Sequence, residues 1–101
     1  MSDTLRLNLR VRQRALEDAE AASTCLNDVS PGRGDEFLDD LDHTFERLLM
    51  FPLSGRALED RPLIRMAHLR RYPCTVFYVP TDDVLRVLRV MHNALSPEEW
   101  P

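Results

Sequence analysis

A change of hydrophobic period near the start of the chain restricts its fold more than any other feature. Leu5, Leu7, Leu9 and Val11 alternate with Arg6, Asn8 and Arg10. That period of two sets four aliphatic side chains on one face and predicts a half-buried strand. The period then lengthens. Ala15, Ala19, Ala22 and Leu26 recur every three or four positions, joined by Leu16, and form the stripe of an amphipathic helix. The three alanines in the stripe allow a neighbouring helix to come close.

Ser30-Pro31 predicts the start of a second helix, because serine accepts bonds from first-turn amides and proline there has no amide to lose. Asp35 and Glu36 suit the positive end of that helix dipole. Phe37, Leu41, Phe45, Leu48 and Leu49 supply its apolar stripe, and Phe51-Pro52 followed by Ser54-Gly55 ends it in a turn. With so few residues between them, the two helices should form an antiparallel hairpin. Three strand-like runs follow, Leu63 to Leu69, Cys74 to Val79 and Val84 to His92. Arg71-Tyr72-Pro73 and Pro80-Thr81-Asp82-Asp83 break them with turn chemistry, and short turns imply antiparallel pairing. The expected fold class is α+β, ordered β-α-α-β-β-β, with the helical hairpin packed on a small antiparallel twisted sheet. Asn93 to Pro101 reads as a loop or a short turn of helix.

At 101 residues the chain supports a single domain, spanning 1–101, with one modest core and no room for a complete dinucleotide-binding fold. Apolar residues make up 44%, with 3 glycines and 7 prolines, a composition that argues against disorder. Cys25 and Cys74 match neither a CxxC nor a zinc-ligand spacing and read as buried free thiols. Met1 to Leu9 hold no continuous hydrophobic run, so neither a secretory signal nor a membrane span is expected, and the cytoplasm is the expected compartment.

Charge is unevenly distributed. The net −4 divides into −9 for residues 17–46, where ten acids face the single Arg33, and +5 for the remainder. All 13 basic residues are arginine. That choice fits bidentate recognition of carboxylate or phosphate and equally fits the nucleotide composition of a source genome. An acidic run is most often a solvated helix face. Arg65, Arg70, Arg71, Arg86 and Arg89, by contrast, gather cations on one sheet and its rim, where an acidic protein segment or phosphates could dock.

Catalytic signals are sparse. His43, His68 and His92 have no metal-ligand spacing; His43 reads as a residue of the wet helix face, and the other two as hydrogen-bonded residues at strand ends. Ser23 and Ser54 lie in no nucleophile motif, no glycine-rich phosphate loop is present, and Asp39-Asp40 point to different sides of a helix. No metal or cofactor is expected, and a binding protein outranks an enzyme.

The ordered elements and several short motifs resemble the toxins of the RelE/ParE superfamily of type II toxin-antitoxin, or plasmid-stabilisation, proteins. The resemblance is carried by Ala15-Leu16-Glu17-Asp18, by Phe37, Leu41 and Leu48, and by Phe51-Pro52-Leu53-Ser54-Gly55-Arg56. Val76-Phe77-Tyr78 and Val87-Leu88-Arg89-Val90-Met91-His92 complete it. RelE-like members cleave messenger RNA on the ribosome. In this chain their strand arginine falls at Thr75, their later basic residues at Asn93-Ala94-Leu95, and their late tyrosine at Trp100, so that equipment is missing.

The ParE-like branch, similar in the Phe-Pro-x-x-Gly-Arg turn and in the final strand ending at His92, is favoured. Ala94 and Leu95 stand where many of its members place arginine. The resemblance implies a toxin that acts by binding DNA gyrase, with no chemistry of its own, and is neutralised by a cognate antitoxin. It further implies no membrane partner, no direct binding of operator DNA by the toxin itself, and assembly as a homodimer or a toxin-antitoxin heterotetramer. The partner-binding residues expected are Arg65, Arg70, Arg71, Tyr78, Arg89 and His92. The alternatives are a RelE-like endoribonuclease using Arg70, Arg71, Arg89 or His92, and a degenerate, non-toxic interaction module.

Overall fold

The computed structural model describes residues 7–95 and 97–101. Leu5 and Arg6, the first positions of the expected strand, lie outside the described residues. The elements run β1 (Asn8–Val11), α1 (Gln13–Val29), α2 (Arg33–Met50), β2 (Arg56–Ala57), β3 (Arg65–His68), β4 (Cys74–Pro80) and β5 (Val84–His92), and end in a 3₁₀ turn at Pro97–Glu99. The architecture is α+β, a helical hairpin on a five-stranded sheet of order β1-β5-β4-β3-β2.

Consecutive strands from β2 to β5 pair antiparallel, as short turns dictate. The sheet as a whole is mixed, however, because β1 pairs parallel with β5, from Asn8 opposite Val84 to Val11 opposite Val87. An amphipathic first strand specifies a face to bury, and nothing local to it specifies its partner. The chain places it beside the strand most distant in sequence. The two-residue β2 carries too little pattern to be read as a strand. Between the pairs Phe77/Arg89 and Tyr78/Val87 the register shifts, leaving Leu88 as the extra residue of β5.

The larger core lies between hairpin and sheet. Ala15 and Ala19 of α1 and Phe37, Leu41, Phe45, Leu48 and Leu49 of α2 meet Val76, Tyr78, Leu85, Val87 and Val90 of the sheet. The whole expected stripe of α2 is therefore buried. In α1 the apolar stripe is narrower than expected: Leu16 is 48% exposed, since it sits about 100° around the helix from Ala15. Cys25 is exposed for the same reason, falling off the Ala15–Ala19–Ala22–Leu26 line. Cys74 is buried, and burial pushes its thiol pKa up, helped by the nearby Asp40 carboxylate.

A second, smaller core occupies the opposite face of the sheet. Leu58, Met66, Phe77, Leu88 and Met91 are buried there beneath Ile64, Val79, Leu95 and Trp100. The indole of Trp100 lies on Phe77, with ring centroids 5.4 Å apart. Both faces of β4 are thus covered, and its first five residues, Cys74 to Tyr78, are all buried.

The helical turn differs from expectation. Ser30 closes α1, its N–H donating to Leu26 C=O at 3.0 Å, and α2 begins after Gly32, whose φ is +92°. The first-turn amides are served from α1: Asn27 Oδ1 accepts from Gly32 N–H at 3.1 Å and Gly34 N–H at 2.9 Å. A side chain one helix away does what Ser30 was expected to do. Among the described residues no helix is long and apolar enough to cross a membrane, and no three His, Cys, Asp or Glu side chains gather as a metal site requires.

Candidate functional site

The chain leaves α2 through an irregular turn that the sheet holds from below. Tyr78 is fully buried, yet its hydroxyl accepts from Gly55 N–H at 3.0 Å and donates to Pro52 C=O at 2.8 Å. Burial raises the pKa of this phenol. Arg65 faces Tyr78 across the β3–β4 pair, and its Nη1 donates to Gly55 C=O at 2.7 Å and Leu53 C=O at 3.2 Å. These two residues, both in the expected partner-binding set, shape the turn from Pro52 to Gly55. The turn presents apolar surface: Met50 is 67%, Phe51 59% and Leu53 68% exposed.

Beside α2 lies the β3–β4 turn with Arg70 and Arg71. The buried Asp40 carboxylate accepts from Arg71 N–H at 2.8 Å and Tyr72 N–H at 3.2 Å, so one of the ten helical acids is an anchor for this loop and not part of a solvated face. Tyr72 fastens the other side. Its ring packs edge-on to Phe37 at 5.8 Å, and its hydroxyl lies 3.1 Å from Glu36 Oε1 and 3.3 Å from Arg33 C=O. Partial desolvation and the hydrogen bond to Glu36 raise the pKa of that hydroxyl. Fastened at Arg71 and Tyr72, the turn is held against α2 while the Arg70 and Arg71 side chains stay exposed.

A groove follows. Glu36, Asp39, Asp40, His43, Arg47 and Met50 recur along one face of α2 and line it with Phe51, Arg70 and Arg71. Arg47 and Phe51 also line the adjoining depression, which continues past Gly55 and Arg56 to Met66, Ala67 and His68 of β3. Arg47 Nη2 donates to His68 C=O at 3.3 Å where the two meet.

The remaining expected residues are placed differently. Arg89 forms a bidentate pair with Asp18 of α1, Nε to Oδ2 at 2.7 Å and Nη2 to Oδ1 at 2.9 Å, and Asp18 also accepts from Val90 N–H at 3.0 Å. β1 stops opposite Val87, leaving the later edge of β5 open, and the carboxylate occupies that edge. The pairing raises the pKa of Arg89, chiefly through the hydrogen bond to Asp18, and commits its charge inside the molecule. His92 lies opposite Cys74, at the same end of the sheet as Arg70 and Arg71. Its Nδ1 accepts from Ala94 N–H at 3.0 Å. Arg86 is exposed on β5, and His43 is exposed on α2.

His68, read from the sequence as a hydrogen-bonded residue at a strand end, belongs to a small polar network. Thr75 Oγ1 donates to Asn93 Oδ1, and His68 Nδ1 lies 2.7 Å from the same hydroxyl. Because Asn93 Oδ1 can only accept, the one Thr75 proton goes to it, and the imidazole donates through Nδ1. The partners Thr75 and Asn93 come from β4 and from beyond β5, so only the sheet brings them to His68.

Of the expected partner-binding set, then, Arg70, Arg71 and His92 share one end of the sheet, while Arg65, Tyr78 and Arg89 are internal fasteners. Arg47, Met50 and Phe51 join Arg70 and Arg71 on the groove. Their signal was present in the sequence, as polar and apolar residues on the outer face of α2, and Arg71-Tyr72-Pro73 marked the flanking turn; its anchoring on α2 through Asp40 was not legible there.

Comparison with known proteins agrees with this architecture. The family described as the ParE toxin of the type II toxin-antitoxin system, parDE, matches residues 9–95. No curated protein matches the sequence. A chain from a solved chromosomal ParDE toxin-antitoxin system of P. aeruginosa superposes with a TM-score of 0.75 at 17% identity, covering 87% of this chain and 97% of that one, which is a likeness of fold. With the family matched from β1 to just beyond β5, the chain belongs to the ParE toxin family of type II toxin-antitoxin systems.

Proposed function

We propose that the protein is a ParE-like toxin that works by protein binding: it inhibits DNA gyrase when free and is neutralised by a cognate antitoxin. The observation that carries this reading is the family match over residues 9–95. The surface supports it, since the groove along α2 sets arginines and exposed apolar side chains, beside Glu36, Asp39 and His43, where a protein partner could meet them. The toxin performs no covalent step in this reading. Assembly as a homodimer or as a toxin-antitoxin heterotetramer, and a cytoplasmic site of action, belong to the same reading.

The test is a supercoiling assay with purified gyrase and purified toxin. Supercoiling should fall as toxin is added and return when antitoxin is added. Full supercoiling in a large excess of folded toxin would contradict the gyrase assignment.

A further inference from the structure

We propose that the groove along α2 is where the antitoxin docks, through a segment that sets carboxylates against Arg70 and Arg71 and an apolar side chain against Met50 and Phe51. This rests on reading the chain as an antitoxin-partnered toxin and adds the surface and the chemistry of the contact.

Among the described residues Arg70 and Arg71 take part in no ion pair, whereas Arg89 is held by Asp18 and Arg65 by the carbonyls of Leu53 and Gly55. Two uncommitted guanidiniums in adjacent positions favour bidentate capture of carboxylates. Asp40 and Tyr72 pin the turn that bears them, so little backbone freedom is lost when a partner binds. Directly alongside, Met50 and Phe51 are 67% and 59% exposed, a placement that costs hydration free energy unless something covers them.

The groove selects for more than negative charge. Asp39 faces it as well and repels a wholly acidic ligand, while Glu36 is engaged by the Tyr72 hydroxyl. A segment that combines acids with an aliphatic or aromatic residue satisfies both halves of the groove. The helix face supplies a straight track, with Glu36, Asp39, His43, Arg47 and Met50 three or four residues apart.

The experiment is calorimetric titration of the toxin with the protein encoded by the adjacent gene, at low and at moderate salt. Four toxins are compared: wild type, the double variant R70E/R71E, F51S, and R86E as a control on an exposed arginine outside the groove. R70E/R71E should weaken binding by about 100-fold and flatten its salt dependence, and F51S by about 10-fold. R86E should bind within about threefold of wild type. Retained thermal transitions in each variant establish that all are folded. Binding of R70E/R71E and F51S at wild-type affinity, or an equal loss in R86E, overturns the groove assignment while leaving the antitoxin reading intact. Failure of the wild type itself to bind overturns that reading, and the groove assignment with it.

Discussion

The hydroxyl of Tyr78 carries two hydrogen bonds to the turn after α2 while its ring is fully buried. Removing it orphans Gly55 N–H and Pro52 C=O, and a buried group left without its partner costs about 1–3 kcal/mol. Tyr78→Phe should therefore lower the unfolding free energy by that amount, read as a lower urea midpoint with an unchanged slope of the transition; a change under about 0.5 kcal/mol would mean that the turn is held by other contacts. The same phenol gives an alkaline signature. Its pKa is raised in the folded state, so above its ordinary value near 10 the unfolded chain releases a proton that the folded chain keeps. Stability is fully present below that pH and falls as pH rises toward the folded-state pKa. Stability measured between about pH 9 and 11 should fall less steeply in the phenylalanine variant than in wild type. At this scale the sequence shows which groups can bond and not where the bonds go: Arg65, Tyr78 and Arg89 each hold contacts within the fold that no local pattern announces.

The stripe of α2 was readable because it depends only on spacing along one element. Phe37, Leu41, Phe45, Leu48 and Leu49 follow the helical period, and all are buried. Caps and strand partners depend on other elements. Asn27 serves the amides at the start of α2 from inside α1, and β5 pairs with a strand more than seventy positions earlier. The hairpin makes a graded prediction. A methyl group at Gly34 would collide with the Ser23 carbonyl oxygen and lie 2.7 Å from Asn27 Nδ2, while at Gly32 it would meet nothing within 4 Å. Gly32→Ala thus incurs only the left-handed backbone cost of about 1–2 kcal/mol, whereas Gly34→Ala, on ordinary helical backbone, must push the helices apart. Thermal melts should rank Gly34→Ala below Gly32→Ala, and the opposite order would contradict the close approach of α1 and α2 at this turn.

Across the whole molecule, the partition into a −9 hairpin and a +5 remainder is partly an internal arrangement. The pair Asp18–Arg89 joins the two halves directly, and Asp40 joins them through backbone amides. Among the arginines of the expected partner-binding set, Arg70 and Arg71 are the two that stay exposed. The second core was hidden from sequence reading because its cover comes from loops and from the last residues, whose local pattern says only turn or tail. Trp100 is the single tryptophan, so its fluorescence reports that cover. Trp100→Ala should cost about 1–2 kcal/mol for a half-buried indole, and in wild type the emission should shift to the red in the same urea transition that melts the helices. A red-shifted emission before unfolding would mean that the tail is undocked from Phe77.

The most direct test of the central claim is growth after induction in cells that lack the endogenous pair. Expression of this chain alone should arrest growth, and coexpression of the adjacent gene's product should restore it. Unimpaired growth with abundant, folded protein and no partner would contradict the claim that the chain is an active toxin.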